Sequence, residues 1–137
     1  MEKKYKKLKF PQHGDERGHL VVVEGGKDIP FEIKRMFYIY GSDRDSVRGR
    51  HANRKSEFVL INVKGTSKVK IDTGTEQEII CLDHPYEGIY LSRMTWKEMY
   101  DFSEDAVLLV LSNEHYDPEE YIREYDQFLY EVKQRNV

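Results

Sequence analysis

The chain has 137 residues and a mass of 16.3 kDa, a length at which one domain around one hydrophobic core is the usual outcome. Its 22 basic and 25 acidic residues give a formal net charge of -3, which provides no broad positive field to attract DNA, RNA or an anionic membrane. No apolar run approaches the roughly 20 residues of a membrane span, and the N-terminus MEKKYKKLKF lacks the apolar stretch of a signal peptide. We therefore expect a single cytoplasmic domain over residues 1–137, with neither nucleic acid nor a membrane as a partner.

Short β-rich blocks, separated by turn residues, run through most of the chain. Valine, isoleucine and aromatic residues alternate with polar residues inside these blocks, as in half-buried strands. The pattern predicts strands at residues 5–10, 18–24, 34–41, 47–53, 56–64, 66–72, 76–82, 87–91, 95–102 and 105–112. Many short strands at this spacing indicate a sandwich or barrel, and the jelly roll is a common way to close such a sheet.

The end of the chain changes from an alternating to a helical period. The sequence DPEEYIREYDQFLYEVKQR starts at Asp117, a suitable N-cap, with Pro118 in the first turn and Glu120 at the capping-box position. Aromatic and apolar residues then fall on one helical face: Tyr121, Ile122, Tyr125, Phe128, Leu129 and Val132. We predict a helix over about 117–134 that packs on the outside of the barrel or across a dimer.

Polar residues interrupt the strand pattern at several places, where chemistry is to be sought. In an extended chain His51, Asn53 and Lys55 point to the same side. Lys97 lies in an otherwise aromatic and apolar strand, and a buried lysine requires a reason. In the strand at 34–41 the two faces carry different residues, and either face could look inward.

Five separated blocks of the sequence resemble the sugar-nucleotide cupins called WxcM-like, or dTDP-4-keto-6-deoxyglucose 3,4-ketoisomerases. In chain order they are DERGHL, IPFEIKRMFYIYG, VRGRHANRKSEFVLINVKG, GIYLSRMTWKEMYDFS and LVLSNEHYDPEEYIREYDQF, within about residues 8–130. The resemblance implies an all-β, cupin-type jelly-roll barrel with one C-terminal α-helix, commonly a homodimer with exchanged N-terminal strands. It also implies action on a dTDP-linked 4-keto-6-deoxy sugar, with no metal or organic cofactor.

The reaction that the resemblance implies moves a carbonyl from C4 to C3 of the sugar through an enediol. In the family the strand reads R-G-x-H-A-H-K and its first histidine is implicated as the base, which corresponds to His51. An imidazole suits this task because its ordinary pKa is about 6.5. The family tyrosine that matches Tyr38 lies beside the sugar and could relay a proton. Such an isomerase would serve the synthesis of a 3-amino-3,6-dideoxyhexose for surface polysaccharide.

Two expected histidines of the family are replaced in this chain, by Asn53 and by Lys97. Asparagine cannot transfer a proton at neutral pH, although it can orient a neighbour by hydrogen bonding. Lysine can exchange a proton if burial lowers its pKa, or stay charged and stabilise an enediolate. The replacements leave open a rewired catalytic site that uses Asn53 and Lys97, an isomerase of altered specificity, and a cupin that binds a nucleotide sugar without turnover.

The same replacements argue against a metal site. His51, Asn53, Glu57 and Lys97 offer one imidazole, one amide, one carboxylate and one cation, whereas transition metals in cupins prefer imidazole-rich sets. A related deoxysugar epimerase fits less well, because it would need a histidine-aspartate base pair that the sequence does not reveal.

Arginines within the resembling blocks are the candidates for holding the diphosphate. Arg17, Arg35 and Arg48 can each grip phosphate oxygens with a planar, two-pronged guanidinium. A solvated or salt-bridged surface arginine is the alternative for each. Glu98, next to Lys97, either orients the sugar or Lys97 or forms a structural salt bridge.

Overall fold

The computed structural model describes residues 3–135, and its regular secondary structure is mostly β-strand. The strands are β1 (Tyr5–Lys9), β2 (Gln12–Asp15), β3 (Gly18–Val21), β4 (Arg35–Tyr40), β5 (Arg48–Asn53), β6 (Phe58–Lys64), β7 (Ser67–Asp72), β8 (Gln77–Leu82), β9 (Glu87–Leu91), β10 (Trp96–Tyr100), β11 (Val107–Ser112) and β12 (Tyr121–Ile122). One helix, α1, covers Tyr125–Arg135. Alternating polarity thus predicted the strands correctly, except that β2 and β12 were missed.

Two antiparallel five-stranded sheets enclose the main core. Their strand orders are β1-β9-β6-β11-β4 and β12-β5-β10-β7-β8. The core between them contains buried side chains from both sheets: Tyr5, Phe58, Leu60, Val69, Ile71, Ile80, Leu82, Ile89, Leu91, Met99, Phe102, Ala106, Leu108 and Val110. The predicted all-β fold with one C-terminal helix is confirmed.

Each sheet is also covered on its outer face. Phe10, Ile29 and Phe31 pack against Val59 and Ile61 of β6 on the outside of the first sheet. On the outside of the second sheet, α1 buries apolar residues against the strands, as predicted for this helix: Ala52, Met94, Trp96, Ile122, Phe128 and Val132. Within residues 3–135, no helix is long and apolar enough to cross a membrane.

The hairpin of β2 and β3 stands apart from the two sheets. These strands pair only with each other among the described residues, and nearly all of their side chains are exposed. Strand β4 lies at the edge of the first sheet and exposes Met36, Tyr38 and Tyr40. An unpaired edge with large apolar side chains is unusual for a surface that stays in contact with water.

The C-terminal helix begins later than predicted, at Tyr125 instead of near Asp117. Asp117 does act as an N-cap, accepting from the backbone N–H of Glu119, but it caps a short 3-10 turn at Pro118–Glu120. The chain then extends as β12 and pairs with β5. The carboxylate of Glu120 accepts the backbone N–H groups of Lys55 and Ser56 at 2.8 Å instead of closing a capping box.

Candidate active site

A β-bulge shapes the strand that carries His51. Lys97 of β10 lies opposite His51, but the next residue of β10 lies opposite Gly49, so Arg50 is an extra residue on β5. Gly49 and Arg50 both have positive φ values, 87° and 57°. A Cβ on Gly49 would lie 2.9 Å from the carbonyl oxygen of Lys97, so the close approach of these strands requires glycine. Because of the extra residue, Arg48 and His51 reach the same side of β5 although three positions separate them.

A cavity of about 290 Å³ opens between the sheets at this bulge. Its lining residues are Phe37, Ile39, Arg48, Gly49, His51, Phe58, Leu60, Lys97, Met99, Val110 and Tyr121. A mostly apolar and aromatic wall with a few convergent polar groups is typical of a small-molecule site.

A second depression, of about 430 Å³, lies at the end of the first sheet, near Glu57 and Asn113. Its central carboxylate is already satisfied, because Glu57 accepts from the hydroxyl of Tyr90 at 2.5 Å and from the amide of Asn113 at 2.9 Å. The smaller cavity offers the better site, because His51 in its wall has a ring nitrogen without a hydrogen-bond partner among residues 3–135.

Lys97 is the most deeply buried charged group of the cavity, with 3% of its surface exposed. Its Nζ donates to Oδ1 of Asn53 at 3.1 Å and lies 4.5 Å from the centroid of the Phe58 ring. Burial lowers the pKa of Lys97 to about 7, Glu120 opposes this shift, and Arg35 adds to it. The amine can therefore exchange between charged and neutral forms near neutral pH.

His51 lies between Lys97 on one side and Tyr121 on the other. Its ring meets the ring of Tyr121 edge-on, with centroids 4.8 Å apart, and its Nδ1 is buried without a hydrogen-bond partner among residues 3–135. Burial, the charge of Lys97 and the charge of Arg123 lower the pKa of His51 to about 3, while Asn53 acts weakly in the opposite direction. At neutral pH the imidazole is uncharged and is able to accept a proton.

Arg35 is enclosed by aromatic rings at the wall of the same space. Its guanidinium carbon lies 5.6 Å, 5.9 Å and 5.7 Å from the ring centroids of Phe37, Phe58 and Tyr116. Nη1 donates to the hydroxyl of Tyr121 at 3.5 Å, whereas Nε and Nη2 are buried without a partner in the described part of the chain. A guanidinium held this way is available to an anionic or carbonyl oxygen of a ligand.

The structure therefore brings several predicted site residues together around one space: His51, Asn53, Lys97, Arg35 and Arg48. Arg48 lies at the exposed mouth, where its Nε donates to Ser42 at 2.9 Å. Asn53 is fully buried, and its Nδ2 has no partner within residues 3–135.

Three other predicted residues lie elsewhere in the described chain. Tyr38 is on the outer face of β4, 56% exposed, while its neighbour Phe37 lines the cavity. Glu98 is on the outer face of β10, where it accepts from the indole of Trp96 at 3.0 Å. Arg17 is at the turn of the free hairpin, paired at 2.8 Å with Asp15.

Sequence reasoning missed Tyr121 as a site residue, because it was assigned to the apolar face of a helix. Its position on β12, opposite Asn53 of β5, places it in the cavity wall. No sequence signal set Tyr121 apart from the other residues of that face, because Glu120 directly before it fits a capping box. Within residues 3–135, no group of three or more His, Cys, Asp or Glu residues is arranged to hold a metal ion.

Comparison with known proteins identifies the family of this chain. The family model described as "FdtA: WxcM-like, C-terminal" matches residues 3–133. A TDP-4-oxo-6-deoxy-alpha-D-glucose-3,4-oxoisomerase from Aneurinibacillus thermoaerophilus is 43% identical over 123 residues, which are 90% of this chain and 88% of the relative.

Solved structures agree with this match. The sugar 3,4-ketoisomerase QdtA from Thermoanaerobacterium thermosaccharolyticum, in complex with TDP, is 42% identical, covers all of both chains and gives a TM-score of 0.95. A histidine-to-asparagine variant of QdtA in complex with TDP-4-keto-6-deoxyglucose is 42% identical, covers 98% of both chains and gives a TM-score of 0.94. This chain therefore belongs to the FdtA WxcM-like family.

Proposed function

We propose that this chain is a sugar-nucleotide 3,4-ketoisomerase, which moves the carbonyl of a dTDP-4-keto-6-deoxyhexose from C4 to C3. The names of the relatives at 42–43% identity support the reaction, and the QdtA complexes support TDP and TDP-4-keto-6-deoxyglucose as ligands. The observation that carries the proposal is a neutral, half-buried His51 directly opposite a buried Lys97 in one apolar cavity. A base beside a cation is what enolisation requires.

His51 is the base that removes the proton from C3. Its imidazole is unprotonated at neutral pH, because burial and the charge of Lys97 oppose a second positive charge there. The low pKa makes it a weak base in the resting cavity. The negative charge that develops on the bound sugar during enolisation raises the basicity of His51 as the reaction proceeds.

Protonated Lys97 stabilises the negative charge on the enediolate oxygen at C4. A charged donor inside a dry cavity acts more strongly than in water, because the local dielectric is low. Asn53 accepts one N–H of Lys97 and so fixes the direction of the amine. Together they replace two imidazoles of the family without restoring a second imidazole base.

The nucleotide diphosphate is held by arginines around the cavity. Arg48 is at the mouth, and Arg35 has two buried N–H groups without protein acceptors within residues 3–135. Both residues can form charge-assisted hydrogen bonds to phosphate or sugar oxygens. Tyr38 and Glu98 lie on outer faces, so any contact of either with the sugar requires a change from this arrangement.

A homodimer completes the site. The hairpin of β2 and β3 is exposed, carries Arg17 at its turn and pairs with no other strand of residues 3–135, whereas β4 lies at the edge of its sheet. Adding the hairpin of a second copy to this edge would cover Met36 and Tyr40 and bring Arg17 towards the neighbouring cavity. The cytoplasmic location and the supply of a 3-keto sugar for amination stay predictions.

The test is proton exchange. The purified protein is incubated with dTDP-4-keto-6-deoxyglucose in deuterium oxide, and C3 and C4 are followed by proton NMR. We expect deuterium at C3 of the remaining substrate and at C4 of a new 3-keto product. A parallel reaction in ordinary water gives the configuration at C4 from the C4 proton signal. The His51→Asn variant should lose both the exchange and the product while keeping dTDP affinity, because asparagine roughly fills the place of the imidazole. His84→Asn, on an exposed loop, is the matched control.

One observation favours a second candidate, a cupin that binds the nucleotide sugar without turnover. The amine of Lys97 is engaged by Asn53, and His51 is the only imidazole among the cavity-lining residues. If the protein binds dTDP tightly but exchanges neither C3 nor C4 of any 4-keto-6-deoxy sugar nucleotide, this candidate replaces the isomerase.

A further inference from the structure

We propose that Tyr121 is a catalytic residue, the donor that delivers a proton to C4 of the sugar. The inference rests on the proposed isomerase function and adds to it the acid that the reaction needs. Tyr121 lines the cavity, and its ring touches the ring of His51 edge-on at 4.8 Å between centroids. A sugar in contact with the base is therefore within reach of this phenol as well.

The hydroxyl of Tyr121 is oriented to donate. Nη1 of Arg35 lies 3.5 Å from it, and a guanidinium has only donors, so the hydroxyl oxygen accepts this bond. Its own hydrogen then remains available, and no acceptor for it is found among residues 3–135. The nearest use for that hydrogen is a ligand in the cavity.

Tyr121 is held firmly for a residue near the end of the chain. Its backbone pairs with Asn53, and the preceding Glu120 is 2% exposed and hydrogen-bonds to Lys55 N–H and to both the N–H and the hydroxyl of Ser56. The guanidinium of Arg123 stacks 4.8 Å from the centroid of the Tyr121 ring. This support fixes the position of the phenol, which a catalytic group requires.

The strand order separates the chemical roles around the base. β5 lies between β12 and β10, so His51 has Tyr121 on one side and Lys97 on the other. Lys97 donates to Asn53 and is suited to stay charged beside an oxyanion. Asn53 cannot give up a proton at neutral pH. Tyr121 is the remaining group of the cavity wall that can give up a proton, and it lies on the opposite side of His51 from Lys97.

The proton balance closes without an external reactant. His51 takes the C3 proton, the C3–H electrons form the C3–C4 double bond, and the C4 carbonyl pair moves onto its oxygen. His51 then returns its proton to that oxygen. Tyr121 gives its proton to C4 as the C3 oxygen forms a carbonyl, and the proton lost from the C3 hydroxyl restores the phenol. The sugar is isomerised with both residues regenerated.

The test separates C4 protonation from C3 exchange. Tyr121→Phe keeps the ring against His51 and Arg123 and removes only the hydroxyl. In deuterium oxide we expect C3 exchange within about threefold of the parent, while formation of the 3-keto product falls about 10²-fold or more. Tyr130→Phe, on an exposed part of α1, is the control and should keep both rates.

Other outcomes overturn the proposal. Equal losses of exchange and product formation would make Tyr121 a positioning residue for His51, and no loss would remove it from catalysis. A parent protein that exchanges neither carbon overturns the proposed function and this inference with it, before any variant is compared. If Tyr121→Phe does not fold, 3-fluorotyrosine at this position keeps the shape with a more acidic phenol. Because a more acidic donor transfers its proton more readily, the rate of product formation should change while the rate of C3 exchange does not. Unchanged rates of both would refute the role.

Discussion

Replacing Lys97 by methionine tests how the charge of one residue controls the chemistry of another. Lys97 is 3% exposed and lies directly opposite His51 in the pairing of β10 with β5. Methionine has a similar length and suits the neighbouring Phe58 ring, so Lys97→Met removes the charge with little change in volume. We expect the pKa of His51 to rise in this variant, because the second largest cause of its depression is the charge of Lys97.

The size of this rise follows from Coulomb's law. Side chains directly opposite each other in a sheet start about 5 Å apart, and two unit charges at that distance interact by about 3 kcal/mol at an effective dielectric of 20. This energy corresponds to about 2 pH units. His51 titrates in the acid range, where Lys97 is fully protonated, so the whole interaction applies. The pKa of His51 should therefore move from about 3 to about 5, and burial should keep it below 6.5.

In Lys97→Met, turnover should fall although the basicity of His51 rises. A stronger base accelerates C3 deprotonation modestly, whereas loss of a preorganised charge beside the enediolate costs about 10²–10³ in rate. We therefore expect Lys97→Met to lower kcat about 10²-fold and to leave dTDP affinity nearly unchanged. The loss in kcat without a loss in affinity is the mark of an interaction formed in the transition state.

Proton NMR of the histidine ring signals against pH measures the first effect. The chain has 5 histidines, and the His51 signal is assigned by its absence in His51→Asn. Lys70→Met is the control, because Lys70 lies on the outer side of β7 and the substitution makes the same change in net charge. A His51 pKa that stays near 3 in Lys97→Met would show that burial alone depresses it, and the electrostatic coupling would be refuted.

Two further predictions concern the assembly and the stability of the protein. If Arg17 acts across a dimer, mixing inactive Arg17→Ala with inactive His51→Asn should restore activity, because each hybrid dimer contains one complete site. Activity assays after mixing measure this. No recovery would mean that both residues of a site come from the same chain or that Arg17 is not part of the site. The folded state lowers the pKa of His51 from 6.5 to about 3, so the unfolded chain binds more protons in this window and stability falls as the pH drops through it. Urea unfolding should show that the free energy of unfolding decreases from pH 7 to pH 4. This decrease should be smaller in His51→Asn than in the parent by up to about 3 kcal/mol.

The strands could be predicted from the sequence because their side chains alternate between core and solvent. β7 and β11 show this period over much of their length, and each is observed within two residues of its predicted bounds. β2 was missed because Gln12–Asp15 is exposed throughout and has no apolar alternation. A hairpin of that kind is stabilised by its own pairing or by a partner, and neither leaves a hydrophobic period in the sequence.

The end of the chain shows where local signals fail. Asp117 and Pro118 are equally good at starting a 3-10 turn and an α-helix, so the cap alone could not tell them apart. Tertiary contacts decide the outcome: the Glu120 carboxylate binds the turn after β5, and this draws Tyr121 into an extended pairing. The error in the helix boundary is also the reason why Tyr121 was missed in the site.

Alternation of side chains along β5 predicted part of the site correctly, and the β-bulge explains the remainder. His51 and Asn53 share a side as alternation predicts, and both lie near Lys97. Arg48 joins them only because Arg50 is an extra residue, which shifts the phase of the strand by one position. Nothing in the sequence reveals a bulge until the pairing with β10 is known.

Asn53 and Lys97 make physical sense as one coupled pair. A lysine alone on β10 would place a buried ammonium without an acceptor, at a cost of several kcal/mol. An asparagine on β5 supplies that acceptor at 3.1 Å, and the ring of Phe58 at 4.5 Å supplies a favourable face for the cation. Without the Asn53 oxygen, the buried amine of Lys97 would lose this hydrogen bond. The pair therefore fixes one positive charge next to His51 and keeps that imidazole neutral, so the base and the oxyanion stabiliser are separate residues.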